Sequence, residues 1–187
     1  MLKPRYWKKF WFGLVMVLII PVWTMASVSN AAGDKEILNL AAKEVRMYPY
    51  FTIFDNVELT LNNGQLTVTG EVLEPWRKND LGRILAKVPG VNDVDNQLEV
   101  LPLSSFDRQL RIRLARAIFS HPLLYRYGLG ANPSIHIIVK NGNVKLVGTV
   151  NSEADRNAAT LVAKTAATYF GFENKLQVET RIASVKP

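Results

Sequence analysis

The sequence predicts an α+β protein made of two tandem α-β-β-α-β modules, each a three-stranded sheet covered on one face by two helices. Three observations predict it. Shifted by 78 residues the chain repeats without a gap: "NNGQLTVTGEV" at Asn62 to Val72 falls on "KNGNVKLVGTV" at Lys140 to Val150, and "DNQLEV" at Asp95 to Val100 falls on "ENKLQV" at Glu173 to Val178. In each copy two alternating apolar runs flank an Asn-Gly pair. Each hairpin is bracketed by segments whose apolar residues recur at helical spacing.

In the first copy Asp34 is placed to cap a helix with Ile37, Leu40, Ala41, Val45 and Tyr48 on one stripe, ending before Pro49. In the second, Ser104 with Asp107 resembles a capping box, and Phe106, Leu110, Leu114, Ala117 and Ile118 form the stripe before Pro122. The hairpins follow. Val57, Leu59, Leu61 and Leu66, Val68, Val72 alternate around Asn63-Gly64, as do Ile135, Ile137, Val139 and Val144, Leu146, Val150 around Asn141-Gly142. Asn-Gly accepts the positive φ angles of a tight turn. Gly70 and Gly148 share the parity of the inward residues and are expected to make room for a crossing helix.

A second helix starts at Pro75 with Leu81, Ile84, Leu85 and Val88, or at Ser152 with Asp155 and then Ala158, Val162 and Ala166. Pro89-Gly90 and Gly171 are expected to end these helices. A last strand carries Val94, Leu98 and Val100, or Phe172, Leu176 and Val178. Asn96 and Asn174 have inward parity there, so their amides are expected to bond backbone groups. Only one face of each strand reads as apolar, which places both helices on that face. The modules span residues 34–102 and 104–182.

Residues 1–31 read as an export signal: Lys3, Arg5, Lys8 and Lys9, an apolar run from Phe10 to Ile20, then Pro21. Cleavage is expected after Ala26 or Ala31, the alternative being an uncleaved anchor. The chain has no cysteine, which excludes disulfides, thiolate metal sites and a lipid-modified amino terminus. Charge is split between the modules. Residues 32–102 hold 7 basic and 11 acidic side chains, and residues 103–187 hold 12 basic and 5 acidic. Either the modules attract each other or the second faces an anionic partner.

The element order, with NG-x-V-x-L-x-G-x-V in the hairpin and N-x-L-x-V in the last strand, resembles the BON domain of bacterial osmotic-shock and nodulation proteins. Two such domains behind an export signal resemble the OsmY family of periplasmic proteins. The second copy fits from Asn141 to Val178, with a five-residue extension within Tyr125 to Pro133. The first departs where Glu74-Pro75-Trp76 replaces the usual Ser-Glu start of the second helix. The resemblance implies a non-enzymatic envelope protein, free of cofactors, that contacts phospholipid surfaces or other envelope proteins under stress.

The residues themselves offer little chemistry. His121 and His136 lack a neighbouring carboxylate pair, and no nucleophile-elbow pattern accompanies the serines. The sharpest surface feature is the first helix of the second copy, where Arg108, Arg111, Arg113 and Arg116 surround Ile112 opposite the core stripe. Arginines flanking an outward apolar residue fit a helix resting on anionic phospholipid, with Tyr125, Arg126 and Tyr127 as interfacial partners. A solvated face with one stray Ile is the plain alternative. Nucleic acid ranks last and is not expected as a partner, because an exported protein rarely meets any and no aromatic stacking platform interleaves the cations. A protein-binding scaffold or chaperone is the competing class. Trp76 is expected to lie as a lid over the hydrophobic edge.

Overall fold

The computed structural model describes residues 31–130 and 132–179. The expected export signal lies outside them up to residue 30. The first helix, α1 (Ala31–Met47), begins ahead of Asp34, which sits in its first turn instead of capping it. A carboxylate there still meets the positive end of the helix dipole. Strands β1 (Asn56–Asn62) and β2 (Gln65–Val72) form the hairpin, with Asn63 at φ 51° and Gly64 at φ 81° in the turn. Helix α2 (Pro75–Leu85) then carries the chain across to β3 (Asp93–Asn96) and β4 (Glu99–Val100), both parallel to β2.

The second module repeats this with α3 (Ser105–Ser120), a 3-10 turn (Tyr125–Gly128), β5 (Ile135–Lys140), β6 (Asn143–Val150), α4 (Glu153–Ala166) and β7 (Gly171–Val178). Sheet order is β1-β2-β3 and β5-β6-β7, with the second hairpin strand central in each. Gln65 faces Asp93, and the residues 78 further on, Asn143 and Gly171, face each other likewise. Helix α4 ends at Ala166, ahead of Gly171, which instead opens β7.

Each sheet has its own core. Ala41, Val45, Leu66, Val68, Leu81 and Leu98 are buried in the first module, and Leu110, Leu114, Ile118, Ile137, Leu146 and Leu176 in the second. Leu40 and Phe106, expected in the stripes, are exposed; Phe106 stacks on Phe170 at 6.0 Å. In α4 the fully buried residues are Ala159 and Ala163, one position on from the expected stripe of Ala158, Val162 and Ala166, which pack at its margin.

The two inward asparagines bond as expected, in the same way twice. Asn96 Nδ2 donates to the Lys78 carbonyl at 2.8 Å and its Oδ1 accepts from Leu98 N. Asn174 Nδ2 donates to the Arg156 carbonyl at 3.3 Å and its Oδ1 accepts from Leu176 N. The glycine expectation needs correcting. Gly70 and Gly148 lie at φ 115° and 117°, and a Cβ on either would run into the carbonyl of Asn56 or Ser134 on the neighbouring hairpin strand, not into a helix. Backbone conformation and backbone proximity both demand glycine here.

Both helices cover one face of the second sheet, as expected, and its other face meets the first module. Ile138 and Val147 have outward parity yet are buried, packed with Leu101 and Leu73 of the first module. A fully buried Ile or Val is worth about 1.5–3 kcal/mol relative to exposure, so the seam is a real contact. It extends along the loop between α1 and β1: Ile137 N donates to the Ile53 carbonyl at 2.7 Å, and Phe54 packs against the second core. Two ion pairs flank it, Lys145 with Glu71, and Lys140 with Glu99 at 2.6 Å. The opposite charges of the modules are partly spent on each other.

Candidate functional site

Helix α3 is anchored from both ends of its first turn. Ser104 Oγ accepts from Asp107 N at 3.2 Å, while the Asp107 carboxylate accepts from Asn141 N at 2.9 Å and Gly142 N at 2.8 Å. Asp107 therefore ties the helix to the hairpin turn. Leu110, Leu114 and Ile118 bury the inner face. At 100° per residue, Arg108, Ile112, Arg116 and Arg113 fall on the opposite arc, and all four are exposed, Ile112 to 41%.

Arg111 does not belong to that arc. It sits at the margin of the inner stripe, lines a groove together with Phe54 and Leu73 of the first module, and is only 6% exposed. Its Nη2 donates to the Val139 carbonyl at 2.7 Å and its Nε has no partner. Burial pulls its pKa below the ordinary arginine value, partly offset by the charges of Asp107 and Asp55. The expectation that it faces outward assumed one wall beside α3, where there are two.

Two of the three residues expected at a lipid interface do structural work. Tyr127 is buried; its hydroxyl donates to Asp155 at 2.8 Å and accepts from Asn151 N at 2.8 Å. Arg126 pairs with Asp155 at 2.7 Å and lies over the Tyr127 ring. Burial pushes the Asp155 carboxyl up, but hydrogen bonds from Ser152 and Tyr127 and the Arg126 charge outweigh it and hold the group below its usual value. Tyr125 is the member of the trio that is exposed and without such a bond.

Among the described residues of the second module, Lys140, Lys145, Arg126, Arg156 and Lys175 each pair with a carboxylate. Arg108, Arg113 and Arg116 do not, nor do buried Arg111 and Lys164, which lies over the Phe172 ring at 5.9 Å. Beside them a groove of about 330 Å³ opens between the modules, walled by Phe54 and Leu73 on one side and Leu103 and Ile112 on the other. The sequence reading missed it because Phe54 and Leu103 carry no periodic signal.

The remaining candidates are placed elsewhere. His136 is packed in the seam with its ring 5.2 Å from Phe51 and Nδ1 3.2 Å from the Thr52 carbonyl; burial lowers its pKa, partly offset by backbone hydrogen bonds and the Asp55 charge. His121 ends α3, and its Nδ1 accepts from Leu123 N at 3.3 Å. Trp76 is not a lid over the core but stands 42% exposed, edge-on to Tyr50 at 5.1 Å. No described helix is long and apolar enough to cross a membrane.

A BON domain family model matches residues 33–102 and 112–180. No curated protein matches. Among solved structures, the chain is similar to CdsD, a structural protein of the Type III secretion system of Chlamydia trachomatis, at 13% identity and a TM-score of 0.30, over 78% of this chain and 94% of that one. It is also similar to the C-terminal domain of CdsD, at 11% identity and a TM-score of 0.28, over 77% of this chain and 98% of that one.

Proposed function

The chain belongs to the BON domain family, two domains in tandem, whose members are typically envelope-associated and generally non-catalytic, and on that premise we propose that it binds anionic phospholipid surfaces in the periplasm. The contact surface is the outer arc of α3: Arg108, Ile112, Arg113 and Arg116, with Tyr125 beyond its end. One observation carries the reading. Five of the second module's other described cations are paired with carboxylates, while these arginines, gathered on one arc around a half-exposed Ile, have no carboxylate partner and are free to meet an external anion. Such a contact serves a structural role in envelope maintenance under osmotic stress, without catalysis or cofactor.

The magnitude decides what else is needed. At about 1 kcal/mol per cation near an anionic leaflet, three arginines supply roughly 3 kcal/mol, weaker than millimolar. Insertion of Ile112 and Tyr125 has to add to this, and salt has to weaken it. Co-sedimentation of the purified protein with phosphatidylglycerol vesicles tests the reading. Binding is expected to fall with salt, to fall further in Arg113→Glu/Arg116→Glu, and to be absent from phosphatidylcholine vesicles. Equal association with both lipids, or a charge-reversed protein that binds as well as the parent, would refute it; a protein scaffold would then be the better account.

A further inference from the structure

The groove between the modules contains a cation that the fold does not neutralise. Arg111 lies in its wall, nine-tenths buried, with a single hydrogen bond to the Val139 carbonyl and an unpartnered Nε. The two carboxylates whose charge it feels, Asp107 and Asp55, are engaged by other donors: Asp107 by Asn141 N and Gly142 N, and Asp55 by Thr52, Leu73 N and Arg77. No carboxylate lies within ion-pairing distance of its guanidinium among the described residues. A buried charge without a counter-ion is expensive, and an anion brought beside it recovers part of that cost.

We infer that this groove holds the headgroup of one anionic phospholipid, its phosphate against Arg111 and Arg108 and its apolar portion along Phe54, Leu103 and Ile112. The inference rests on the phospholipid reading above and adds a discrete, two-module site to it. Charge complementarity selects the phosphate, since two arginines, Arg108 and Arg111, line one cleft and neither has a carboxylate partner. The apolar lining selects a phosphate that carries acyl chains over a free one. Leu103 stands 92% exposed at the mouth, where it is free to meet an acyl chain. Glu74 also lines the groove and opposes an anion, which confines the phosphate to the α3 side.

The site differs from the outer arc in what it needs. A flat membrane reaches Arg113 and Arg116 but not buried Arg111, whereas a single lipid entering the groove needs Arg111 and not the other two. NMR titration of the full protein with monomeric dihexanoyl-phosphatidylglycerol, dihexanoyl-phosphatidylcholine and inorganic phosphate separates the cases. The expected result is saturable shifts at Leu103, Ile112 and Phe54 with the first probe. Affinity should be weakened about tenfold or more in Arg111→Gln, as loss of a charge-assisted contact predicts, weakened far less in the charge-neutralised Arg113→Gln/Arg116→Gln, and tightened in Glu74→Gln. Glu74→Gln touches no buried bond and keeps the test valid where Arg111→Gln folds poorly. Absence of groove shifts, equal shifts with inorganic phosphate, or Glu74→Gln without effect would overturn the inference. Vesicle binding that survives such a failure leaves the surface reading intact.

Discussion

Replacing Asp55 with alanine should be among the most damaging single changes in the first module. The carboxylate is fully buried and accepts four hydrogen bonds: Leu73 N at 2.8 Å on Oδ1, and Thr52 N at 2.9 Å, Thr52 Oγ1 at 2.7 Å and Arg77 Nη1 at 2.6 Å on Oδ2. Without it the Arg77 guanidinium, whose Nε is already unpartnered, stays in the interior with no counter-charge. Removing one member of a buried pair costs about 3–5 kcal/mol, because the orphaned charge remains. For a chain of this size that corresponds to a fall in Tm of about 6–20 °C. Urea and thermal unfolding, followed by two probes to check two-state behaviour, measure it. Adding Arg77→Met should recover much of the loss, since the buried cation leaves with its partner. The reasoning fails if Asp55→Ala costs less than about 1 kcal/mol, or if the double variant is no more stable than the single one.

Three other outcomes follow from the same geometry. The folded pKa of Asp155 lies below its unfolded value, so its contribution to stability is present above about pH 4 and is lost as pH falls through the depressed folded pKa; Asp155→Asn should flatten the acid limb of a Tm-against-pH curve. Gly148→Ala combines φ 117° with a clash against the Ser134 carbonyl and should cost about 1–3 kcal/mol or more, while Gly130→Ala, at φ 85° in open space, should cost about 1–2 kcal/mol by the same unfolding measurement. Lys145→Glu sets two carboxylates facing across the seam and should destabilise by about 1 kcal/mol, and the swap Lys145→Glu/Glu71→Lys should restore most of it, read as a double-mutant cycle in urea.

The module was legible in the sequence because its determinants are local. Asn-Gly turns, alternating strands and a 78-residue echo each report on neighbours a few positions away, and β1, β2, β5 and β6 stand where these signals put them. What escaped was whatever depends on the second module touching the first. Ile138 follows Ile137 and precedes Val139, and Val147 follows Leu146, so each strand breaks its alternation toward the outer face. That break was the available sign of a two-sided sheet. Had it been weighed, Arg111 would have been a candidate for burial, since a wall against the outer face of β5 and β6 also approaches the flank of α3. Tyr127 and Arg126 were misplaced for a different reason: an inserted loop has no periodicity, and an Arg-Tyr pair reads the same at a membrane as in a lock.

That lock gives the inserted loop a structural task. In the first module the N–H of Leu73, just past β2, is satisfied by Asp55 in the loop before β1, and Asp55 also binds Arg77 in the first turn of α2. Seventy-eight residues on, the N–H of Asn151 needs the same service, but Pro133 stands where Asp55 stood and has no carboxylate to give. The Tyr127 hydroxyl supplies the acceptor instead, from the 3-10 turn of the extension, and the residue at the Arg77 position is now Asp155, paired with Arg126. The same joint between strand and helix is held by an ion pair of reversed polarity. The first module's version does more, because the Thr52 and Asp55 that close it flank the Ile53 carbonyl and the Phe54 ring that dock onto the second module. Asp55 thus fixes both the inside of one module and the edge presented to the other, so its loss should loosen the seam and the groove beside Arg111 together.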